Sequence, residues 1–229
     1  MTTTSAVLST SGLYKDYGDR PALRPLDLEV ARGSRVALLG HNGSGKTTLL
    51  RMVAGLLEPS GGQITIDGAP AGSLEARRSV SWLSDTPTFY DDLSLWEHLE
   101  YVARLHGVVE WEGRADDLLD CLHLGRRRDD LPMSFSRGLR QKAAIALGLV
   151  RPSTLLLVDE PFVGLDAAGK ESLLSLLDDA AAAGTTLVVA THELGFIDRV
   201  GRVVVLRDGE VAHDGPPGGV DVEAAVRPA

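Results

Sequence analysis

The chain has 229 residues, with 44% apolar and 24% charged side chains, the balance of a globular protein able to bury its own core. Its 23 Lys+Arg against 32 Asp+Glu leave a formal net charge of −9, which argues against general nucleic-acid binding through a basic face. The single cysteine, Cys121, excludes an intrachain disulfide framework, and no apolar run approaches the ~18 residues that cross a bilayer.

Met1 to Ser11 lacks the basic-then-apolar order of a signal peptide. The first third reads as short strands at Ala6–Leu8, Leu26–Val30 and Arg35–Leu39, separated by Gly and Pro. A glycine-rich turn follows Leu39, then a helical pattern from Lys46 to about Leu56. Strands are expected at Gln63–Asp67 and Ser79–Leu83. From Leu93 to Val150 the pattern turns helical, with Leu93, Trp96, Leu99, Val102 and Leu105 close to one face. Ser94 and Glu97 have the spacing of a capping box and mark a helix start. Asp116–Leu124 and Arg137–Leu149 continue as helices. Leu155–Val158 is a fully apolar strand, Ala167–Ala182 a helix ended by Gly184, and Thr185–Ala190 a β-branched strand. Arg202–Arg207 and Glu210–His213 form a hairpin across Asp208-Gly209. Strand-helix alternation on both sides of a helical block predicts a parallel α/β core with a helical insertion. The chain has no internal repeats, and lysine is scarce: Lys15, Lys46, Lys142 and Lys170 are the set, the rest of the positive charge being arginine.

The turn after Leu39 reads Gly40, His41, Asn42, Gly43, Ser44, Gly45, Lys46, Thr47, with Thr48 next, and fits the phosphate-loop pattern. It follows a strand and opens a helix, the context the pattern requires; a glycine-rich turn with a stray lysine is the plain alternative. Gly40, Gly43 and Gly45 let the backbone turn its N–H groups toward one point, where the helix start adds partial positive charge. Lys46 would bridge the β- and γ-phosphates of a nucleotide, and the Thr47 hydroxyl would bind Mg²⁺.

The strand Leu155–Val158 runs into Asp159 and Glu160, placing two acids where open α/β sheets bind ligands. Asp159 would hold Mg²⁺, directly or through water, and Glu160 would polarise the attacking water. An acidic turn after a core strand is the alternative for the pair taken alone.

With these motifs in order, the chain resembles the nucleotide-binding domain of ATP-binding-cassette (ABC) transporters from about Leu8 to His213. The resemblance implies a phosphate-loop NTPase of the ABC type: α/β, a parallel-sheet core with an N-terminal antiparallel β part and an inserted helical subdomain. The core would span residues 1–84 and 151–215, the helical subdomain about 85–150, and 216–229 a loose tail. It implies further site residues. Tyr17 sits where the family stacks adenine, with Tyr14 second. Ser136 and Gly138, in Phe135-Ser136-Arg137-Gly138-Leu139, fall on the family's signature, which departs at Arg137 and Leu139. Asp85 stands where the family has a glutamine and would bind Mg²⁺ or its waters, a loop-capping role being the alternative. Asp166 falls in the loop before the last long helix, and His192 on the switch histidine that contacts the γ-phosphate. The remaining histidines read as surface or packing residues.

In such a family each site is split: one subunit brings Lys46, Thr47, Asp159, Glu160 and His192, the other Ser136 and Gly138. The resemblance therefore implies ATP and Mg²⁺, hydrolysis, a second ATP-binding subunit, most simply a second copy, and integral membrane permease subunits. The protein would be cytoplasmic and peripheral on the inner face of the cell membrane. The altered signature and Asp85 look more like exporters than importers, as does the want of a C-terminal regulatory domain of the importer sort. The apolar residues Phe89, Tyr90, Leu93 and Trp96 would line the groove that receives a permease helix, or belong to the core of the helical block. Arg126, Arg127 and Arg128 read as a solvated loop sooner than a lipid-facing one. A soluble ABC ATPase assisting a non-membrane assembly, such as iron–sulfur cluster building, is the alternative function.

Overall fold

The computed structural model describes residues 5–18 and 20–226. The N-terminal segment and the C-terminal tail discussed from sequence lie partly outside the described residues, at 1–4 and 227–229. In chain order the elements are β1 (Ala6–Tyr17), β2 (Arg20–Ala31), β3 (Arg35–Leu39), α1 (Lys46–Val53), β4 (Gly61–Ile66), β5 (Ala69–Pro70), α2 (Leu74–Ser79) and β6 (Val80–Leu83). Then come α3 (Leu95–Leu105), α4 (Glu112–Cys121), α5 (Arg137–Leu149), β7 (Leu155–Asp159), α6 (Ala167–Ala182), β8 (Thr186–Ala190), α7 (Leu194–Ile197), β9 (Arg202–Arg207), β10 (Glu210–Gly215) and α8 (Val222–Val226). They divide into two compact units: one holds the described residues up to Trp82, Ser153–Glu160 and those from Asp179 on; the other holds Leu83–Pro152 and Pro161–Asp178.

The first unit carries two sheets. An antiparallel sheet has the order β2-β1-β4-β5, and a mixed sheet has the order β10-β9-β3-β8-β7-β6. β3, β7, β8 and β9 run parallel, while β10 pairs antiparallel with β9. The inner strands β7 and β8 are buried throughout, which is why they read as near-continuous Leu and Val rather than as an alternation. Ala190 pairs with both Leu38 and Asp159, so β3, β8 and β7 end at one level. Leu49, Leu50, Met52 and Val53 of α1 pack into a core with Leu8, Leu13, Leu28, Val30, Ile64, Ile66, Val36, Leu38, Leu155 and Val188.

β1 and β2 are each 12 residues long, far beyond the short runs their apolar pattern suggests. Register shifts interrupt the pairing near Gly12 and Tyr14, and the Asp27 carboxylate accepts the Gly12 N–H at 2.6 Å, so the apolar alternation breaks while the ladder continues. Pro21 and Pro25 are tolerated because β2 is an edge strand. α1 stops at Val53, before the expected Leu56, because Gly55 adopts φ +70° and donates to Met52 O while the Leu56 N–H donates to Arg51 O. α2 has no long apolar period to announce it; Ser73 caps it by accepting the Ala76 N–H at 3.2 Å.

The second unit is helical. Leu95, Leu99 and Ala103 of α3, Ala115, Leu118 and Leu119 of α4, and Ala143, Ile145 and Ala146 of α5 are all buried. The Ser172 hydroxyl on α6 donates to Cys121 O at 2.7 Å. α4 begins at Glu112 and ends at Cys121, a turn earlier than the expected Asp116–Leu124, because His123 takes φ +58° and turns the chain out of the helix. Ser94 and Glu97 do form a capping box: the Ser94 Oγ accepts the Glu97 N–H at 3.2 Å and the Glu97 carboxylate accepts the Ser94 N–H at 2.7 Å.

The expectation of a loose tail over 216–229 needs correction through residue 226. The Asp221 carboxylate accepts the Ala224 N–H at 3.0 Å and starts α8, Ala225 is buried, and Arg207 donates to Ala224 O at 3.2 Å. These contacts offset the Pro/Gly composition of the approach.

Ser94→Ala removes one half of the capping box, and we expect a loss of about 1 kcal/mol of stability, read by chemical denaturation, with the secondary structure unchanged.

Candidate functional site

The glycine-rich loop joins β3 to α1 at the carboxyl end of the parallel strands. Gly40 has φ +148°, and a Cβ there would lie 2.3 Å from Leu206 O and 2.4 Å from the Ser44 Oγ. Gly45 has φ +106°, and a Cβ there would lie 2.7 Å from Ala22 O. Both positions therefore admit only glycine, for conformation and for space. His41, Ser44 and Lys46 are buried; Asn42 and Gly43 are exposed, and Thr48 is half-buried on the first turn of α1.

Lys46 opens α1 and folds its ammonium back onto the loop, donating to Gly40 O at 2.6 Å and His41 O at 3.3 Å. Burial lowers its pKa, and the nearby Glu160 and Asp159 carboxylates oppose that shift. Its Nζ lies 4.0 Å from Glu160 Oε1. One residue further, the Thr47 hydroxyl donates to Asp159 Oδ2 at 2.6 Å, joining the loop to the end of β7.

Glu160 takes φ +44°, a left-handed backbone unusual for a non-glycine residue, while its N–H donates to Ala190 O at 2.8 Å. Its other carboxylate oxygen, Oε2, lies 3.2 Å from His192 Nδ1. Burial raises the Glu160 pKa, with His192 and Lys46 pulling the other way. A carboxylate poised between an ammonium and an imidazole can accept a proton from a water held beside it.

The structure thus brings Lys46, Thr47, Asp159, Glu160 and His192 together at one edge of the mixed sheet. The Ser44 hydroxyl is buried in the loop without a hydrogen bond, the state expected of a group that receives a ligand oxygen. Among the described residues there is no cluster of three His, Cys, Asp or Glu side chains able to hold a metal. The donor set at hand is one hydroxyl and one carboxylate, which fits Mg²⁺ completed by phosphate oxygens and water rather than by a protein cage. At the end of β1, Tyr17 is 57% exposed, with the Lys15 ammonium 5.3 Å from its ring centre. Tyr14, by contrast, covers Gly61, where a Cβ would meet the ring at 2.3 Å.

Ser136, Gly138 and Asp85 belong to the helical unit. Ser136 caps α5, its Oγ accepting the Leu139 N–H at 3.4 Å. Gly138 lies against the following loop: a Cβ there would be 2.8 Å from Gly164 O. In that loop Asp166 accepts the Gly169 N–H at 2.9 Å and lies 3.5 Å from the Lys142 ammonium; both contacts hold its pKa below the ordinary carboxylate range. Asp85 is exposed, and its carboxylate accepts the Ser84 hydroxyl at 3.2 Å.

The expected cluster of Phe89, Tyr90, Leu93 and Trp96 is not one cluster. Phe89 and Tyr90 pack on His98, at ring distances of 5.5 and 5.9 Å, and Tyr90 on Tyr101 at 5.4 Å. Trp96 packs instead on Trp111 at 4.8 Å, under the Arg128 guanidinium at 3.7 Å. Residues 96 and 98 project about 200° apart around a helix, so Trp96 leaves the face that His98 and Tyr101 share. Sequence inspection also missed the Asp208-Gly209 turn as part of the site: the Gly209 N–H donates to Ser44 O at 3.1 Å. An Asp-Gly pair signals a hairpin, and nothing in it signals which loop the hairpin touches.

A strand-loop-helix phosphate loop beside paired acids on a mixed α/β sheet defines a nucleoside-triphosphatase class of protein. A family model described as ABC transporter matches residues 23–163, and the chain belongs to that family. It is an ATP-binding subunit of the ABC kind and an ABC ATPase. Relatives include a putative ABC transporter ATP-binding protein of Halobacterium salinarum, 39% identical over 97% of this chain and 100% of its own length. The SkfA peptide export ATP-binding protein of Bacillus subtilis is 34% identical, over 91% of this chain and 88% of its own. The aliphatic sulfonates import ATP-binding protein of Pseudomonas putida is also 34% identical, over 90% and 75%. Among solved structures, an ATP-binding subunit of an ABC transporter superposes with a TM-score of 0.87 at 31% identity, over 97% of this chain and 95% of its own. A dimeric cassette in a post-hydrolysis state bound to ADP and Pi gives 0.82 at 27% identity, over 92% and 98%.

Gly40→Ala forces a Cβ onto Leu206 O; we expect affinity for a fluorescent ATP analogue to fall at least about tenfold, measured by anisotropy.

Proposed function

We propose that this protein binds Mg²⁺-ATP in the loop 40–48, pairs with a second ATP-binding subunit through the nucleotide, and powers a membrane permease by hydrolysis. The observation that carries the proposal is the chain of contacts from Lys46 through Glu160 to His192, set beside the Thr47–Asp159 hydrogen bond. The loop N–H groups and Lys46 would bind the phosphates, while Tyr17 would offer its ring to the base. Thr47 and Asp159 would hold Mg²⁺, which when bound neutralises charge on the phosphate oxygens.

Glu160 would accept the proton of the attacking water. His192, bonded to the same carboxylate, would orient it and donate toward the γ-phosphate. Water is the nucleophile, so its proton must leave as the new bond to phosphorus forms, and Glu160 is the base the geometry supplies. Ser136, Gly138 and the N-terminus of α5 offer a hydroxyl, N–H groups and helix-dipole charge to a second anion. In a pair of subunits that anion is the γ-phosphate bound by the opposite copy. The dimeric relative bound to ADP and Pi supports this arrangement. Differential contacts of this kind drive closing and opening: moving from 1:99 to 99:1 takes about 5.5 kcal/mol of preference.

Among the described residues no helix is long and apolar enough to cross a membrane. The transport step therefore calls for integral membrane permease subunits, with this protein peripheral on the cytoplasmic face. Export is the direction we favour, from Asp85 at the glutamine place and from the departures at Arg137 and Leu139. The relatives whose names carry a direction include both an exporter and an importer subunit.

Lys46→Ala should weaken ATP binding by about tenfold or more by calorimetric titration; unchanged binding would contradict the site. Glu160→Gln should keep binding, lower kcat about 10²–10³-fold and accumulate an ATP-bound pair by size-exclusion chromatography. Hydrolysis at the parent rate would assign the base elsewhere.

A further inference from the structure

We propose that Lys15 is a positioning residue for the nucleotide base, acting through the Tyr17 ring that it covers on one face; this rests on the reading of Tyr17 as the residue that meets the base. Lysine is scarce in this chain, and Lys15 stands two residues before Tyr17 on β1. Side chains two apart on a strand project from the same face. The Lys15 ammonium accordingly lies over the Tyr17 ring, 5.3 Å from its centre, within the range in which an aromatic face attracts a cation.

The end of β1 is held in a way that fixes this pair. β1 pairs with β4 as far as Tyr14, opposite Gly61. Beyond Tyr14, among the described residues, its ladder runs with β2 alone. A register shift falls between Lys15 and Asp16, and the partner of Asp16 is Pro21, which has no N–H to donate. The segment leaving α1 takes the place of the missing strand. The Ser60 N–H donates to Tyr14 O at 3.0 Å, and the Ser60 hydroxyl oxygen accepts the Asp16 N–H at 3.0 Å. Two residues earlier in the same segment, Glu58 O accepts a hydrogen bond from the Lys15 ammonium at 2.7 Å. The strand fixes one end of the Lys15 side chain and a carbonyl fixes the other, so the ammonium stays over the ring. This segment continues directly from α1, the helix that Lys46 and Thr47 open, so one stretch of chain supports both the phosphate end of the site and the ring.

Tyr17 is exposed, with the ammonium on one face of its ring; the opposite face is the one left for a base. A ring already held in place loses less freedom when a base stacks on it. Removing the cation frees the ring and leaves the phosphate contacts as they are. Lys15 therefore matters to affinity only while Tyr17 is present.

The test is calorimetric titration of the full chain with Mg²⁺-ADP, which carries the base and a polyphosphate without the bond that is hydrolysed. The proteins compared are the parent, Lys15→Met, Tyr17→Ala and the double variant. Lys15→Met keeps an unbranched apolar side chain and removes the charge; it should raise Kd about threefold. Tyr17→Ala should raise Kd about fivefold or more. The double variant should match Tyr17→Ala to within about 1.5-fold, because the two residues act as a unit. If Lys15→Met weakens binding by the same factor in both backgrounds, Lys15 acts without the ring and the proposal is overturned. A Lys15→Met Kd equal to the parent's overturns it as well. Tyr17→Ala binding as tightly as the parent removes the base reading, and this proposal with it, while the phosphate site stands. A parent that does not bind Mg²⁺-ADP, or a Lys46→Ala variant that binds it as the parent does, overturns the nucleotide reading itself.

Discussion

The Lys46 ammonium, buried and folded onto Gly40 O and His41 O, is the constraint on which the site depends. A cation taken out of water costs several kcal/mol unless oxygen atoms surround it. The loop supplies carbonyls, Glu160 supplies a carboxylate 4.0 Å away, and a phosphate chain would supply more. Everything that shapes the loop can be understood as keeping those oxygens and that ammonium within reach of one another. The positive φ angles at Gly40, Gly43 and Gly45 turn the backbone inward, and Asp159 and Glu160 enter from the neighbouring edge of the same sheet.

The edge itself is a consequence of register. Leu38, Ala190 and Asp159 are cross-strand partners, so loops leaving β3 and β7 emerge at one level with β8 between them. That alignment lets the Thr47 hydroxyl reach Asp159 and lets Glu160 anchor its N–H on Ala190 O. The loop is held from outside as well, by Gly209 on the hairpin and by the Ala22–Arg24 stretch of β2. The antiparallel sheet therefore does more than cover the core: its backbone sets the space in which Gly45 turns.

Local chemistry was legible in the sequence. The phosphate loop, the acidic end of β7 and the Ser94–Glu97 box are each written within a few residues, so spacing alone exposed them. Features that depend on distant chain were not. β1 and β2 continue through bulges that break the apolar alternation, and α2 is too short to show a period. Trp96 seemed to belong with Phe89 and Tyr90 by proximity along the chain, but its helical angle sends it to Trp111. The Asp221 cap ordered a segment whose Pro/Gly content suggested looseness. The contact of Gly209 with Ser44 is carried by backbone atoms, which leave no side-chain signature.

The account's central claim is that this loop recognises a polyphosphate chain, and calorimetric titration of the purified chain with ATP, ADP and AMP in the presence of Mg²⁺ tests it most directly. Recognition through Lys46 and the loop N–H groups predicts saturable binding of ATP and ADP and at least about a hundredfold weaker binding of AMP, whose single phosphate cannot reach both. AMP binding as tightly as ATP would contradict it.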